Sequence, residues 1–98
     1  MSKRIKLSSA AKLDVANILE YLFNKWNKKV ADGFIDLFEE HLKRIAENPK
    51  QFPHFRKDLD IRKCVLTKHN TIYYRENIVS VQIVRVYDTR QNPIDLKF

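Results

Sequence analysis

Glycine, proline and cysteine are scarce in this chain of 98 residues, which contains one glycine, three prolines and one cysteine. A single glycine excludes the glycine-rich loops that bind phosphates or dinucleotides, since those loops need several glycines. A single cysteine, Cys64, excludes an internal disulfide framework and a zinc site built from cysteines, and it fits a reducing cytoplasm. No apolar run approaches the roughly 20 residues of a membrane span, and the basic start Met1–Arg4 precedes no secretory apolar stretch. We therefore expect a cytoplasmic protein that does not bind membranes.

Apolar and basic residues, in contrast, are abundant. The hydrophobic fraction of 44% and the aromatic fraction of 11% suffice for the core of one domain spanning residues 1–98. Lysine and arginine outnumber aspartate and glutamate by 19 to 12, and the resulting net charge of +7 is spread over both halves of the chain. Such a balance attracts nucleic acid, an anionic surface or an acidic protein, although a basic surface that serves only solubility is the alternative.

The first half of the chain shows the periodicity of two amphipathic helices. The alternating segment Lys3–Leu7 predicts an edge strand, and Ser8 is one of two serines that can then cap a helix. Apolar residues at spacings of three and four predict helices over about residues 9–26 and 28–47. Gly33 falls inside the second helix, where a close approach to the first helix would explain it. Together the helices predict an antiparallel helical hairpin.

The second half of the chain has the composition of β-strands. Residues 49–58 read as a loop that Phe52 and Phe55 hold against the body of the protein. Segments rich in β-branched and aromatic residues follow it, with a tight turn at Glu76–Asn77. The predicted strands are Leu59–Leu66, Asn70–Glu76 and Ile78–Tyr87.

The order of elements predicts an α+β fold of the type β-α-α-β-β-β. An N-terminal strand is followed by the helical hairpin, which packs on one face of a mainly antiparallel sheet that includes three further strands. The side chains expected in the core are Val15, Ile18, Leu22, Phe34, Phe38, Leu42, Val79, Val81 and Ile83.

Residues with catalytic or metal-binding chemistry form no recognisable motif. His41, His54 and His69 are scattered and lack the spacing of metal ligands. Cys64 lies among apolar neighbours in a predicted strand, which is typical of a buried thiol rather than a nucleophile. We therefore expect neither a metal nor a cofactor.

Basic residues on the predicted strands are the better candidates for a site. Charges on the strands of a small sheet must point to its open face or its rim, because burying them unpaired is costly. A cluster of this kind can grip phosphates, stabilise a phosphoryl-transfer transition state or bind an acidic protein. The alternative is pairing within the chain, of Arg62 with Asp60 or Glu76, and of Arg85 or Arg90 with Asp88. The candidates for binding a target or phosphate are Arg62, Lys63, Lys68, Arg75, Arg85 and Arg90.

Five stretches form a pattern that extends over nearly the whole chain. They are Leu7–Val15, Ile18–Tyr21, Asn48–Pro53, Ile61–Lys63 through Tyr73–Arg75, and Ile83–Pro93. Each is weak alone, but in their order and spacing they resemble the RelE/ParE superfamily of toxins from bacterial type II toxin–antitoxin pairs.

The resemblance implies a small toxin that is neutralised by an antitoxin encoded beside it. RelE-like toxins cut messenger RNA on the ribosome without a metal, using basic residues of the sheet and often a late tyrosine or histidine. ParE-like toxins instead poison DNA gyrase and lack that catalytic set. Carried over to this chain, the ribonuclease candidates are Arg62, His69, Arg85, Tyr87 and Arg90.

The ParE-like side of the superfamily is favoured. No tyrosine or histidine follows Tyr87, and Asn70 follows His69 where some of the ribonucleases have arginine. The long helical hairpin also looks more like ParE. We therefore expect a gyrase poison, with a ribosome-dependent mRNA endonuclease or a non-toxic basic nucleic-acid-binding module as the alternatives.

The antitoxin expected for a protein of charge +7 contributes an acidic, partly disordered segment that folds on binding. Its apolar side would lie on the helical hairpin or in the groove beside it, or a strand would add to a sheet edge. The two proteins would then form a hetero-oligomer.

Overall fold

Two helices pack on one face of a five-stranded sheet in the computed structural model, which describes residues 2–90 and 98. The strand order is β1-β5-β4-β3-β2, with β1 parallel to β5 and all other neighbours antiparallel. The predicted α+β fold is confirmed, and residues 91–93 of the resembling segment lie outside the described residues. The elements are β1 Arg4–Leu7, α1 Ser9–Lys25, α2 Lys28–Glu47, β2 His54–Arg56, β3 Ile61–Val65, β4 Asn70–Glu76 and β5 Ser80–Asp88.

Both helices begin at side chains that satisfy their first backbone donors. Ser8 Oγ accepts a hydrogen bond from the Ala11 N–H at 3.0 Å and donates one to the Val84 carbonyl at 2.7 Å, so this cap also fixes α1 to β5. Asn27 Oδ1 accepts from the Val30 N–H at 3.0 Å and starts α2 almost directly after α1 ends. The predicted helical hairpin is confirmed, since α1 and α2 contact each other and only Trp26 and Asn27 separate them.

The core lies between the helices and one face of the sheet, and most of the expected residues belong to it. Val15 and Leu42 are half-buried at its border. Val79 was assigned wrongly, since it is 76% exposed. The Asn77 N–H donates to the Ser80 carbonyl at 2.7 Å, so the turn falls at Ile78 and Val79 rather than at Glu76–Asn77. The alternation of Val79, Val81 and Ile83 therefore begins one residue before the strand does.

The segment between α2 and β3 is more structured than a loop. It contains single 3₁₀ turns at Pro49–Gln51 and Lys57–Leu59 and the short strand β2 between them. Phe52 packs edge-to-face on Tyr74 in the core, as expected for a loop anchor. Phe55 lies on the other face of the sheet instead, against Tyr73 and Phe98.

The face of the sheet that the helices leave uncovered is called the open face here. Residues that alternate with the buried side chains of the strands share it, because successive side chains of a strand point to opposite faces. It is mainly basic and aromatic. Its members include Arg4, Lys6, Lys63, Tyr73, Arg75, Gln82 and Tyr87.

Candidate functional site: an apolar groove with a basic rim

An apolar groove of about 420 Å³ opens where the helical hairpin meets the β3–β4 turn. The end of α1 and the first half of α2 form one wall, and the turn forms the other. Trp26, the sole tryptophan of the chain, is 63% exposed at this groove. The lining residues are Leu22, Trp26, Val30, Gly33, Phe34, Leu37, Thr67, Lys68, His69, Asn70 and Arg90.

Asn70 supplies a polar group within this apolar lining. Its side chain is only 4% exposed, and its Oδ1 accepts a hydrogen bond from Thr67 Oγ1 at 2.9 Å. Its Nδ2 has no hydrogen-bond partner among residues 2–90 and 98. An unsatisfied buried donor costs about 1–3 kcal/mol.

Gly33 lies in the interior of α2 and contributes to the same groove. The expectation that a close approach to the first helix explains this glycine is wrong, since no described atom outside the adjoining residues and the neighbouring backbone of α2 lies within 4 Å of the place where its Cβ would be. Glycine in a helix interior costs up to about 1 kcal/mol relative to alanine. No packing contact of the described chain compensates for that cost, but a partner that approaches α2 closely would.

Cationic side chains form one rim of the groove. Arg90 makes a bidentate ion pair with Asp88, at 2.8 and 2.6 Å, and its guanidinium lies 4.3 Å from the centre of the Tyr21 ring. The Arg90–Asp88 pair agrees with the expectation of pairing within the chain. Burial raises the pKa of Asp88, but the hydrogen bonds from Arg90 outweigh it and leave the pKa below its usual value. Lys68 is exposed beside this pair, and His69 Nδ1 lies 3.2 Å from Thr89 Oγ1.

Arg85 is not part of the rim. Its guanidinium donates to both carboxylate oxygens of Asp14 in α1, at 2.7 and 2.8 Å. Asp14 also accepts a hydrogen bond from the Val86 N–H at 3.0 Å. This N–H belongs to the part of β5 that lies beyond the residues paired with β1. Asp14 therefore holds α1 against the edge of β5, and the expected pairing of Arg85 with Asp88 is replaced by this contact.

The remaining candidates are distributed over both faces of the sheet. Arg62 donates to the Phe52 carbonyl at 2.7 Å, and no described contact joins it to Asp60 or Glu76. Lys63 lies over the Phe55 ring on the open face, 6.0 Å from its centre, and Arg75 Nε donates to the Leu59 carbonyl at 3.1 Å. The structure thus brings together Lys68, His69 and Arg90 at the groove, but it does not bring together all of the predicted cations.

Comparison with known proteins places this chain in a family. A family model described as "ParE toxin of type II toxin-antitoxin system, parDE" matches residues 5–93, which is nearly the whole chain. The chain belongs to the ParE toxin family. No match was found among curated proteins.

Solved structures share the fold of this ParE-family toxin. A chain of the chromosomal ParDE toxin–antitoxin system from P. aeruginosa aligns with a TM-score of 0.76 and 16% identity, over 89% of this chain and 96% of that one. A chain of the RelBE2 toxin–antitoxin complex from Mycobacterium tuberculosis aligns with a TM-score of 0.60 and 13% identity, over 90% and 99%. At these identities the likeness shows the fold alone.

Other types of site find little support in the ParE-family chain. Within the described residues, no group of three or more His, Cys, Asp or Glu side chains is arranged to hold a metal ion. Neither described helix is long and apolar enough to cross a membrane. Cys64 is fully buried, and burial raises its pKa to about 11, so the nucleophilic thiolate is scarce at neutral pH.

Sequence reasoning missed Asn70 as a residue of the groove and Asp14 as the partner of Arg85. Asn70 was noted only as a departure from the ribonuclease pattern, and Asp14 only as part of the resembling first helix. Gly33 was the one visible signal, because a lone glycine inside an otherwise regular helix calls for an explanation.

Proposed function

We propose that this ParE-family toxin inhibits growth by poisoning DNA gyrase and that an acidic antitoxin neutralises it by occupying the groove. The observation that carries the proposal is the match of the ParE family model to residues 5–93. Two further observations support it. The candidate residues are poorly arranged for RNA cleavage, and the groove has a shape that suits an amphipathic segment.

The ribonuclease candidates are poorly arranged for RNA cleavage. Cleavage through the 2′-hydroxyl requires a proton acceptor, a proton donor and cations that stabilise the charge on phosphorus. Arg85 and Arg90 are engaged in bidentate ion pairs with Asp14 and Asp88. Tyr87 lies opposite Thr71 on the open face, whereas His69 lines the groove on the helical side. This separation favours a toxin that acts by binding.

The groove has the properties of a binding site for an amphipathic segment. Its walls are apolar, its rim carries Lys68 and Arg90, and Gly33 leaves space against α2. An acidic segment with one apolar side would bury that side in the groove and place carboxylates at the rim. Both similar solved structures are described as toxin–antitoxin systems, which agrees with such a partner.

Expression of this chain alone in a susceptible bacterium tests the proposed activity. We expect growth arrest with DNA breaks and a DNA-damage response while messenger RNA stays intact. Rapid translation arrest with cuts at codon-defined positions, abolished by His69→Ala or Tyr87→Phe, would contradict the proposal and identify a ribonuclease.

Titration with the product of a neighbouring acidic reading frame tests the groove. Because Trp26 is the sole tryptophan of the toxin and lies at the groove, its fluorescence should shift to shorter wavelength as the antitoxin excludes water. The antitoxin's own tryptophans, if it has any, are replaced by phenylalanine. Tight binding without a change in Trp26 fluorescence would show that the antitoxin lies elsewhere.

A further inference from the structure

The turn between β4 and β5 exposes two adjacent aliphatic side chains. Ile78 is 93% exposed and Val79 is 76% exposed, and these are the two most exposed large apolar residues in the described part of the chain. β-Branched residues are unusual in such turns, where glycine, asparagine and aspartate dominate. Nothing in the turn's own packing accounts for an isoleucine and a valine there.

The turn is held in a defined conformation. The Asn77 N–H donates to the Ser80 carbonyl at 2.7 Å, and Lys3 Nζ donates to the Asn77 carbonyl at 2.7 Å. Lys3 also pairs with Glu76 at 2.8 Å, so the N-terminal segment braces the end of β4. A braced turn presents its two side chains with little loss of conformational entropy on binding.

Positive charge lies beside Val79. Arg4 and Lys6 project from β1 on the open face, and they border a concavity of about 460 Å³ together with Val79 and Ser80. Neither cation has a carboxylate partner among residues 2–90 and 98. The chemistry that complements this surface is an apolar pocket bordered by carboxylates.

This surface, formed by Ile78, Val79, Arg4 and Lys6, lies away from the groove. Asn70 begins β4 at the groove, and Glu76 ends β4 at the turn. Six residue steps of about 3.4 Å separate the two places by about 20 Å. A segment seated in the groove therefore leaves the turn accessible.

We infer that the β4–β5 turn is a second interaction surface, through which the toxin contacts its target protein at an acid-bordered apolar pocket. The inference rests on the proposed function, because it assumes that the toxin acts on a protein. A second copy of this chain is disfavoured as occupant, since its Arg4 and Lys6 would face those of the first. Nucleic acid would gain the cations but no stacking partner from aliphatic side chains. Two aliphatic side chains are also too few to anchor a protein stably to lipid.

The test compares the wild type with three full-length variants in two assays. The turn variant carries Ile78→Ser and Val79→Ser, and the control carries Leu13→Ser, which removes an aliphatic side chain that is also exposed, on α1. Circular dichroism and thermal unfolding should match the wild type for both variants, because the changed residues are exposed. Inhibition of purified DNA gyrase and growth arrest on expression are then measured.

We expect the turn variant to need at least about tenfold more protein for the same gyrase inhibition, and to arrest growth weakly, while the control matches the wild type. A second variant, Arg4→Glu with Lys6→Glu, should weaken inhibition most at low salt. Equal potency of the turn variant and the wild type in both assays would overturn the inference and leave the proposed function standing.

The other outcomes are also decisive. If the wild type arrests growth without inhibiting gyrase, the gyrase target fails, and loss of arrest in the turn variant alone would still support a protein contact at the turn. If the wild type does not arrest growth, both the proposed function and the inference fail. Binding to vesicles with anionic headgroups that the turn variant loses, combined with unchanged growth arrest, would assign the turn to a lipid surface and overturn the inference.

Discussion

Asp14 and Arg85 join α1 to the edge of β5 through a contact between residues 71 positions apart. Their side chains are largely buried, with exposed fractions of 6% and 17%. Removing one partner of a buried ion pair typically costs about 3–5 kcal/mol. The Val86 N–H loses an ionised acceptor at the same time. We therefore regard Arg85 as a residue that stabilises the fold.

Asp14→Asn should lower the free energy of unfolding by about 3–5 kcal/mol, measured by urea denaturation. The matched control is Asp32→Asn, which removes an exposed ion pair with Lys28 and should change stability by less than about 1 kcal/mol. Equal and small effects of the two substitutions would show that Arg85 does not depend on Asp14.

Because of Cys64, the free energy of unfolding of the toxin should fall as the pH becomes alkaline. Burial raises its pKa to about 11 in the folded chain, with Arg44 opposing the effect only in part. The unfolded thiol ionises at lower pH, so this contribution to stability is complete below about pH 9 and is lost as the pH rises towards 11. The wild type should therefore lose stability faster than Cys64→Ala over this range in urea titrations. Parallel curves for the two proteins would contradict the assignment.

At the scale of the element, α2 provides the core on one side and the groove on another. Phe38 is buried and stacks on Phe34, with ring centres 6.1 Å apart. Phe38→Ala should cost about 3–5 kcal/mol of unfolding free energy in denaturant titrations. A loss below about 1 kcal/mol would mean that α2 presents a different side to the sheet.

Replacing Gly33 should change the stability of the toxin and its binding of the antitoxin in opposite directions. Gly33→Ala should stabilise the free toxin by up to about 1 kcal/mol, because alanine is the better helix former and its methyl group meets no described atom beyond the adjoining residues and backbone of α2. The same methyl group projects into the groove and should weaken antitoxin binding, measured by titration calorimetry.

Asn24→Ala is the control, since this exposed position of α1 also gains helix propensity but does not line the groove. It should leave antitoxin binding unchanged. If Gly33→Ala stabilises the toxin and binds the antitoxin as tightly as the wild type, the groove is not where the antitoxin approaches α2.

At the scale of the whole molecule, the elements were predictable and their contacts were less so. Periodicity defines both helices and the Ser8 cap marks the start of α1, because these signals lie within a few residues of one another. The strand β2 was missed because the three residues His54–Arg56 are too few to show alternation. Val79 was wrongly predicted to lie in the core because the alternation of apolar and polar residues in β5 continues into the turn before it.

The candidate site was predictable only in part, because it depends on contacts between distant residues. The sequence does identify cations near the ends of the last strands, and Lys68 and Arg90 do meet at the groove. The partner of Arg85 lies in α1, and nothing local in the sequence marks Asp14 as that partner. The groove itself joins α1, α2 and the β3–β4 turn, so its shape follows from packing rather than from a motif.

The central claim, that this ParE-family toxin is a gyrase poison whose activity the antitoxin controls, is tested most directly by a DNA cleavage assay. Purified gyrase is incubated with supercoiled plasmid, ATP and the toxin, and linear DNA is scored after denaturing the enzyme. We predict cleavage that rises with toxin concentration, is absent without gyrase, and disappears when the antitoxin is added first. Undamaged plasmid and unimpaired supercoiling at saturating concentrations of folded toxin would contradict the account.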